Sequence, residues 1–418
     1  MTIFLIEPRD PLIARDGRPA GLGGSFSTLR FPPPSMLAGA VRTRLGSIDG
    51  AFAIEEGALD ELLAIEIAGP LLAELDPASG EITEFLAPAP RDAVLFADGA
   101  PTNATVYRLA PIKTPAGCHV DALGEAGLDP IGFCGPPPKE KPLAAPPAFW
   151  RWERFEEWLI DRADTEPAIA ADTLRDGSTV AVASLGLSQV PIESRAHLAI
   201  EPGERVGRDG QLFQTAGLRF LAESDPKHPL APRRFGLALS TEGGTVAGRT
   251  LSLRSEPEVA PLGGDRRLAH WRPVPQVWPQ LPAAVRAAIV ATGRARLVLT
   301  TPAFFQTGAL PAWNGGALPG APEVAVRIKG ACIPRAEVVS GWNLRATNGE
   351  GKPRGRAKPT RRLVPAGSVY FVELDGTPQA IERWCEAVWL QPVSDEIQAR
   401  RDGFGLAALG AWRREEPR

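Results

Sequence analysis

Lysine, cysteine and long apolar runs are scarce in this chain. Only seven of its 46 basic residues are lysine. The four cysteines (Cys118, Cys134, Cys332, Cys385) are scattered, with no CxxC pair. Paired spacing is what a zinc ribbon needs, and dense cysteine is what a secreted disulfide scaffold needs. The chain has neither, which fits a reducing cytoplasm. The four histidines (His119, His197, His228, His270) fall in no HExxH or other tight ligand pattern. Cys118-His119 with Cys134 lacks a fourth ligand at the usual spacing. No metal and no cofactor are therefore expected. No run reaches the ~18 apolar residues of a membrane span, and no basic segment followed by an apolar core opens the chain. A cytoplasmic location without membrane contact is expected. The chain also lacks a GxSxG elbow and a P-loop, and no segment offers a nucleophile beside its base. Acidic pairs such as Glu156-Glu157 fall on a solvated helix face.

What remains is a globular composition. A length of 418 residues suggests two or three domains. A hydrophobic fraction of 44% can fill sizeable cores. The net charge of −3 excludes a basic coat for nucleic acid, so any such contact must come from local patches. The basic residues are mostly arginine, which suits bidentate phosphate contacts and stacking on bases, although a GC-rich genome gives the same bias. With 43 glycines and 43 prolines, long loops between short elements are expected.

Periodicity places the elements. Residues 3–7 read as a strand and 35–45 as a helix, with Ser35 as its cap and Gly46 ending it in the left-handed conformation. Segment 59–67 reads as helix running into strand, and 84–96, broken by Pro88 and Pro90, as extended. A proline-rich connector at 130–147 is expected to be polyproline-like and exposed. In 149–160, Trp152, Phe155 and Leu159 fall on one helical face, which reads as core packing more readily than as a base-stacking platform. Strands at 195–200 and 211–220 frame a long hairpin with a mobile tip. Further strands are read at 235–240, 251–254, 295–301, 323–329 and 368–374, and helices at 282–291 and 379–389. Short strands interleaved with few helices argue for an α+β fold, and split βαβ sandwiches of the ferredoxin type fit.

Basic residues stand out in five places. Arg9, Arg15 and Arg18 lie on the loop before the first helix, and Arg42 and Arg44 in its last turns. A helix N-terminus beside a basic loop is a natural phosphate site, though solvated arginines on an ordinary strand and helix read equally well. Gly263-Gly264-Asp265-Arg266-Arg267 is a basic turn. Arg195 opens the hairpin, where it faces RNA or anchors the strand. Segment 345–362 carries Arg345, Lys352, Arg354, Arg356, Lys358, Arg361 and Arg362 against Glu350 alone, the pattern of a nucleic-acid contact or of a solvated loop. Near the end, Gly403-Phe404-Gly405 follows Arg400 and Arg401. Such a loop holds a sugar-phosphate chain by backbone N–H groups, or is simply a tight turn.

In order, EPRDPLIARDGRP, PPPSMLAGAVRTRLG, FWRWERFEEWL, ESRAHLAIEPGERVGRDGQLF, LGGDRRLAHW, GWNL, LVPAGSVYFVEL and DGFGLAALGAW span nearly the whole chain. This series resembles the RAMP-superfamily subunit that caps the guide RNA 5′ end in type III-B (Cmr) CRISPR effector complexes. The resemblance implies two ferredoxin-like (RRM-like) halves, placed at 1–215 and 216–418. It implies a non-catalytic role, holding the repeat-derived 5′ tag of the CRISPR RNA. It also implies docking to the large polymerase/cyclase-like subunit and to the backbone RAMP subunit. By motif match the RNA-facing residues would be Arg9, Arg15, Arg18, Ser35, Arg42, Arg44, Gly403, Phe404 and Gly405, with Arg195, Arg266 and Arg267 added from the hairpin and the basic turn. The hairpin tip at 203–210 matches a thumb-like insertion used against the guide, whereas 345–362 matches no family motif. Two rivals stand beside this reading. One is a metal-independent RNA-processing endonuclease, for which His197 is the only histidine beside an RNA-facing arginine. The other is nucleotide binding at the joint with the large subunit.

Overall fold

The structure is a computed structural model. It describes residues 2–15, 25–26, 28–48, 51–98, 100–113, 117, 127–136, 138–161, 173–201, 203–222, 232–343 and 356–412.

Alternation determines how the first strand is used. In β1 (Thr2–Pro8), Phe4 and Ile6 enter one core while Ile3 and Leu5 enter another, and all four are buried. A strand buried on both faces sits mid-sheet. Helix α1 (Pro34–Leu45) covers the Phe4/Ile6 side through Leu37, Val41 and Leu45. The chain continues through β2 (Ala68–Leu75), β3 (Ile82–Pro88), helix α2 (Trp152–Ile160), the hairpin β4 (Ile192–Ile200) and β5 (Gly207–Leu218), β6 (Arg233–Thr241) and β7 (Leu268–Val274). In space the first sheet runs β3–β2–β6–β1–β7, antiparallel throughout. Short strands at 149–151, 186–187, 221–222 and 258–261 extend it to nine. It draws strands from both sides of residue 215.

The second sheet begins after α3 (Ala283–Thr292). Its long strands are β8 (Arg294–Leu299), β9 (Ala321–Cys332), β12 (Val369–Asp375) and β13 (Leu406–Ala411), in the order β9–β12–β8–β13, and short strands at 316–318 and 391–392 extend it to six. Between β9 and β12 stand two short strands, β10 (Glu337–Val339) and β11 (Arg361–Leu363), which pair with each other. Helix α4 (Pro378–Val388) is well specified. Proline opens it, Thr377 Oγ1 accepts the Ala380 N–H at 3.2 Å, and Ala380, Ile381, Trp384, Cys385 and Val388 make one buried stripe. A smaller four-stranded sheet is built from 93–98, 100–111, 131–133 and 179–181. The molecule is thus a mixed α/β fold with mostly antiparallel sheets and few helices.

The tryptophan-rich helix lies in the core, as its spacing implies. Trp152, Phe155, Trp158 and Leu159 join the Ile3/Leu5 side of the first sheet to the second sheet in one cluster. At its centre Arg296 and Asp92 are fully buried and 2.6 Å apart. Trp158 Nε1 donates to Asp92 at 2.9 Å, and Arg296 donates to the carbonyls of Trp158 and Ala411, each at 2.7 Å.

Three local expectations need correction. Pro33, not Ser35, is the cap of α1, and no side chain caps it, because prolines already occupy the positions where N–H groups would need partners. Gly46 ends α1 in the right-handed region. Space there is tight instead: a Cβ would lie 2.6 Å from the Phe52 ring and 2.9 Å from Ile54, so those side chains would have to shift to admit one. The proline-rich connector is largely exposed, as expected, but it is not polyproline-like throughout: 131–133 pairs as a strand of the small sheet and the Leu143 N–H donates to Leu95 O at 2.8 Å. Among the described residues no helix is long and apolar enough to cross a membrane.

Candidate nucleic-acid interface

Three segments far apart in sequence meet at the root of the β4–β5 hairpin. Leu12 and Leu218 exchange backbone hydrogen bonds of 2.8 Å, tying the N-terminal loop to the end of β5. Arg15 bridges to Thr28, and Ser25–Phe26 runs parallel to β5 beside Gln214 and Thr215. From the other side Gly264 donates its N–H to Ile13 O at 2.9 Å. Gly263 must be glycine here: its φ is 73°, and a Cβ would sit 2.8 Å from Ile13 O. These contacts enclose a shallow notch lined by Pro11, Ile13, Glu193, Arg195, Thr215 and Arg267.

Two arginines, Arg195 and Arg267, and one glutamate, Glu193, line the notch, and further arginines lie on the segments around it. Arg9, Arg15, Arg195 and Arg266 are exposed and Arg267 is half-buried. Arg195 Nε donates to Glu193 at 2.6 Å, an exposed pair of little strength with which a phosphate can compete. Arg267 is 3.9 Å from Asp265, and its buried Nε has no hydrogen-bond partner. Arg9 and Arg266 have no ion-pair partner among the described residues. Asp265 and Arg266 both adopt positive φ, at 54° and 50°, a conformation that costs energy in non-glycine residues and holds the turn against Ile13. Arg18 lies outside the described residues.

The arginines of α1 turn inward instead. Arg42 is buried, with its guanidinium on Asp402 Oδ1 at 2.5 Å and on the carbonyls of Ile65 and Arg401 at 2.8 and 3.0 Å. Arg44 pairs with Glu258 and lies over the Trp271 ring at 5.1 Å. Burial, with Arg254 nearby, lowers its pKa from the usual arginine value. Ser35 is exposed in the first turn, but Pro33 and Pro34 carry no N–H and the Met36 N–H is donated to Pro33 O, so few donors remain for a phosphate.

A family model described as CRISPR-associated protein (Cas_Cmr3) matches residues 4–412. The chain belongs to the Cas_Cmr3 family. It is accordingly a subunit of a type III-B CRISPR effector complex, part of antiviral defence. Among solved structures, it is similar to a chain of the Type III-B Cmr-beta bound to cognate target RNA and AMPPnP, at 12% identity and TM-score 0.43. It is also similar to a chain of Cmr-beta bound to cognate target RNA, at 12% identity and TM-score 0.41. Each match covers 88% of this chain and 86% of the other. No curated protein sequence matches it.

In this Cas_Cmr3 chain the glycine-rich loop is a joint rather than an open cradle. The N–H groups of Gly403, Phe404 and Gly405 are donated to Arg400, Ala399 and Pro302, at 2.9, 3.0 and 2.8 Å. The Gly403 and Phe404 carbonyls accept from Thr301 and Ser394 hydroxyls. Phe404 is buried with Val339, Leu363 and Ala399. The N–H groups that the sequence reading offers to a phosphate chain thus have internal partners in this structure.

His197 lies across the hairpin from Phe213, stacked at 5.0 Å, with Nε2 2.8 Å from Thr215 Oγ1. Sequence reasoning missed Thr28, whose hydroxyl takes the Ala14 N–H at 3.1 Å and so fixes the N-terminal loop. No spacing signal marks it. Cys118 and His119 lie outside the described residues. Among those described, no group of three or more His, Cys, Asp and Glu could hold a metal ion.

Proposed function

We propose that this Cas_Cmr3 chain holds the repeat-derived 5′ tag of the CRISPR RNA in the notch at the hairpin root, as a non-catalytic subunit. In the same reading it docks the large polymerase/cyclase-like subunit onto the backbone RAMP subunit. One observation carries the RNA part: the N-terminal loop, the hairpin and the basic turn, about 70 to 180 residues apart in sequence, meet so that Arg195 and Arg267 line one notch and Arg9, Arg15 and Arg266 lie on the segments that form it. Single-stranded RNA is held by backbone contacts and splayed bases, and a short tag needs a local patch on a chain of net charge −3.

Two ferredoxin-like halves belong to the proposal as well. Counting crossover strands, β1, β2, β6 and β7 lie in the order 4-1-3-2, and so do β8, β9, β12 and β13. Each half keeps one crossover helix, α1 between its first two strands and α4 between its last two. In this proposal the joint between halves moves from residue 215 to 275–293, between the last strand of the first sheet and the first strand of the second.

The test is RNA binding by the full chain. Arg195→Glu with Arg267→Glu should weaken binding of tag RNA about a hundredfold or more, the scale of two lost charge-assisted contacts. Unchanged affinity would remove the notch from the RNA site. RNA recovered intact from EDTA-containing buffer is expected, and cleavage abolished by His197→Ala would replace the scaffold reading with the endonuclease.

A further inference from the structure

The notch leaves the basic stretch at 345–362 without a role. Its described part forms one side of a two-stranded ribbon. β10 pairs with β11, placing Val338 opposite Arg362, and farther out Trp342–Asn343 pairs with Arg356–Ala357. The root of the ribbon is fixed. Val339 and Leu363 are buried with Ala399 and Phe404, and Leu29 and Phe304 pack on them. Beyond Leu363, Val364 and Ala303 exchange hydrogen bonds of 2.8 and 2.9 Å. Leu29 follows Thr28, so the ribbon stands on the segment that links the N-terminal loop to α1.

Its charge is one-sided. Described residues 335–343 and 356–363 hold Arg335, Arg356, Lys358, Arg361 and Arg362 against Glu337 alone. Arg361 is committed, 2.6 Å from Glu396 and 4.6 Å over the Phe304 ring. The other four cations are exposed and have no carboxylate partner among the described residues. On a chain with net negative charge, four unneutralised cations on a rigidly rooted ribbon form a surface that attracts a polyanion. Arginine's planar fork fits phosphate oxygens in particular.

We propose that this ribbon is a second phosphate-gripping surface, separate from the notch, that holds the sugar-phosphate backbone of RNA beyond the tag without reading its bases. The proposal rests on the RNA-binding reading of the chain and extends it. A ribbon of seven residues spans about 20 Å, so several successive phosphates lie within its reach.

Salt dependence is the direct readout, because each phosphate neutralised on a single strand steepens the salt slope by about 0.7. The full chain would be titrated with labelled RNA limited to the tag, and with tag RNA extended by about 15 nucleotides, across a salt series. The triple substitution Arg356→Ala, Lys358→Ala, Arg362→Ala should lower the slope for the extended RNA by about 2 and weaken its binding, leaving tag-only binding unchanged. All three side chains are exposed, so the thermal midpoint should not move. An unaltered slope and affinity for the extended RNA would overturn the ribbon proposal while the notch survives. Loss of large-subunit capture with intact RNA binding would also overturn it, by making the ribbon a protein dock. Wild-type chain that binds neither RNA would bring down the notch reading itself, and the ribbon with it.

Discussion

Asp92 and Arg296 are both closed off from water, and what they gain in attraction must offset the loss of two hydration shells. The site meets that requirement by saturating both ions. Asp92 accepts from Trp158 and Arg296, while Arg296 also donates to three carbonyls, two on the tryptophan helix and one on β13. Removing one partner strands the other charge. Asp92→Ala should therefore cost about 3–5 kcal/mol, read as a fall in denaturant midpoint. The double variant Asp92→Ala, Arg296→Met should recover part of that loss, because no lone ion remains, and a double variant weaker than the single would contradict this account. Two cysteines answer to the same burial. Burial pushes the Cys385 thiol up to about 12 and raises that of Cys332 further. Near neutral pH only about one Cys385 in ten thousand or fewer is thiolate, the reactive form. Native protein should alkylate at exposed Cys134 while Cys332 and Cys385 stay unlabelled until denaturant is added, which peptide mapping would show.

Between elements, a carboxylate on β2 ties three strands. Glu74 receives two bonds from Arg233 on β6, at 2.6 and 2.7 Å, and Arg151 lies 3.2 Å away on the next strand but one. Burial alone would raise the Glu74 carboxyl, but Arg233 and then Arg151 outweigh it and hold it below the ordinary glutamate value. A pKa lowered by folding stabilises the protein above the unfolded value, about 4.3. That contribution is lost as pH falls through the lower folded value. Glu74→Gln should lower the melting temperature near neutrality and flatten its fall below about pH 4.3. Identical acid limbs in both proteins would show that Glu74 does not report on folding. Elements of this kind were legible where a side-chain period exists: β1, α1, the tryptophan helix, the hairpin and α4 all lie close to where alternation or helical spacing puts them. The direction of an arginine was not legible. Arg42 sits on a helix whose arginines read as facing phosphate or solvent, and its acidic partner lies 360 residues away. Spacing along a chain cannot reveal a contact of that range. The basic turn and the hairpin were legible only as separate charges, because glycine backbone contacts with Ile13 and Pro11, not sequence proximity, bring them together.

For the molecule as a whole, the two sheets are coupled through the shared tryptophan core, with the buried pair at its centre, and at the loop after α4. At the second, Arg42 of α1 clasps Asp402 and the Arg401 carbonyl, the Ile67 N–H donates to the same carbonyl at 3.0 Å, and Gln398 reaches Leu63 O at 3.2 Å. Gly403 is the tightest point. Its φ is 89°, and a Cβ would lie 2.7 Å from Ile67 O and 2.8 Å from Gly69 O, both at the entrance to β2. Gly403→Ala therefore incurs about 1–2 kcal/mol from backbone conformation alone, with the overlap pushing the loop off the first sheet. Because the ribbon root packs on the neighbouring Phe404, the displacement should reach the proposed RNA surface without touching a cation. Calorimetry of the wild type should show the halves melting together, and of Gly403→Ala a lower transition that splits in two. A single transition at an unchanged temperature would mean that the Asp92–Arg296 core couples the sheets unaided, and the glycine-rich loop would then be a turn with no hold on the first half.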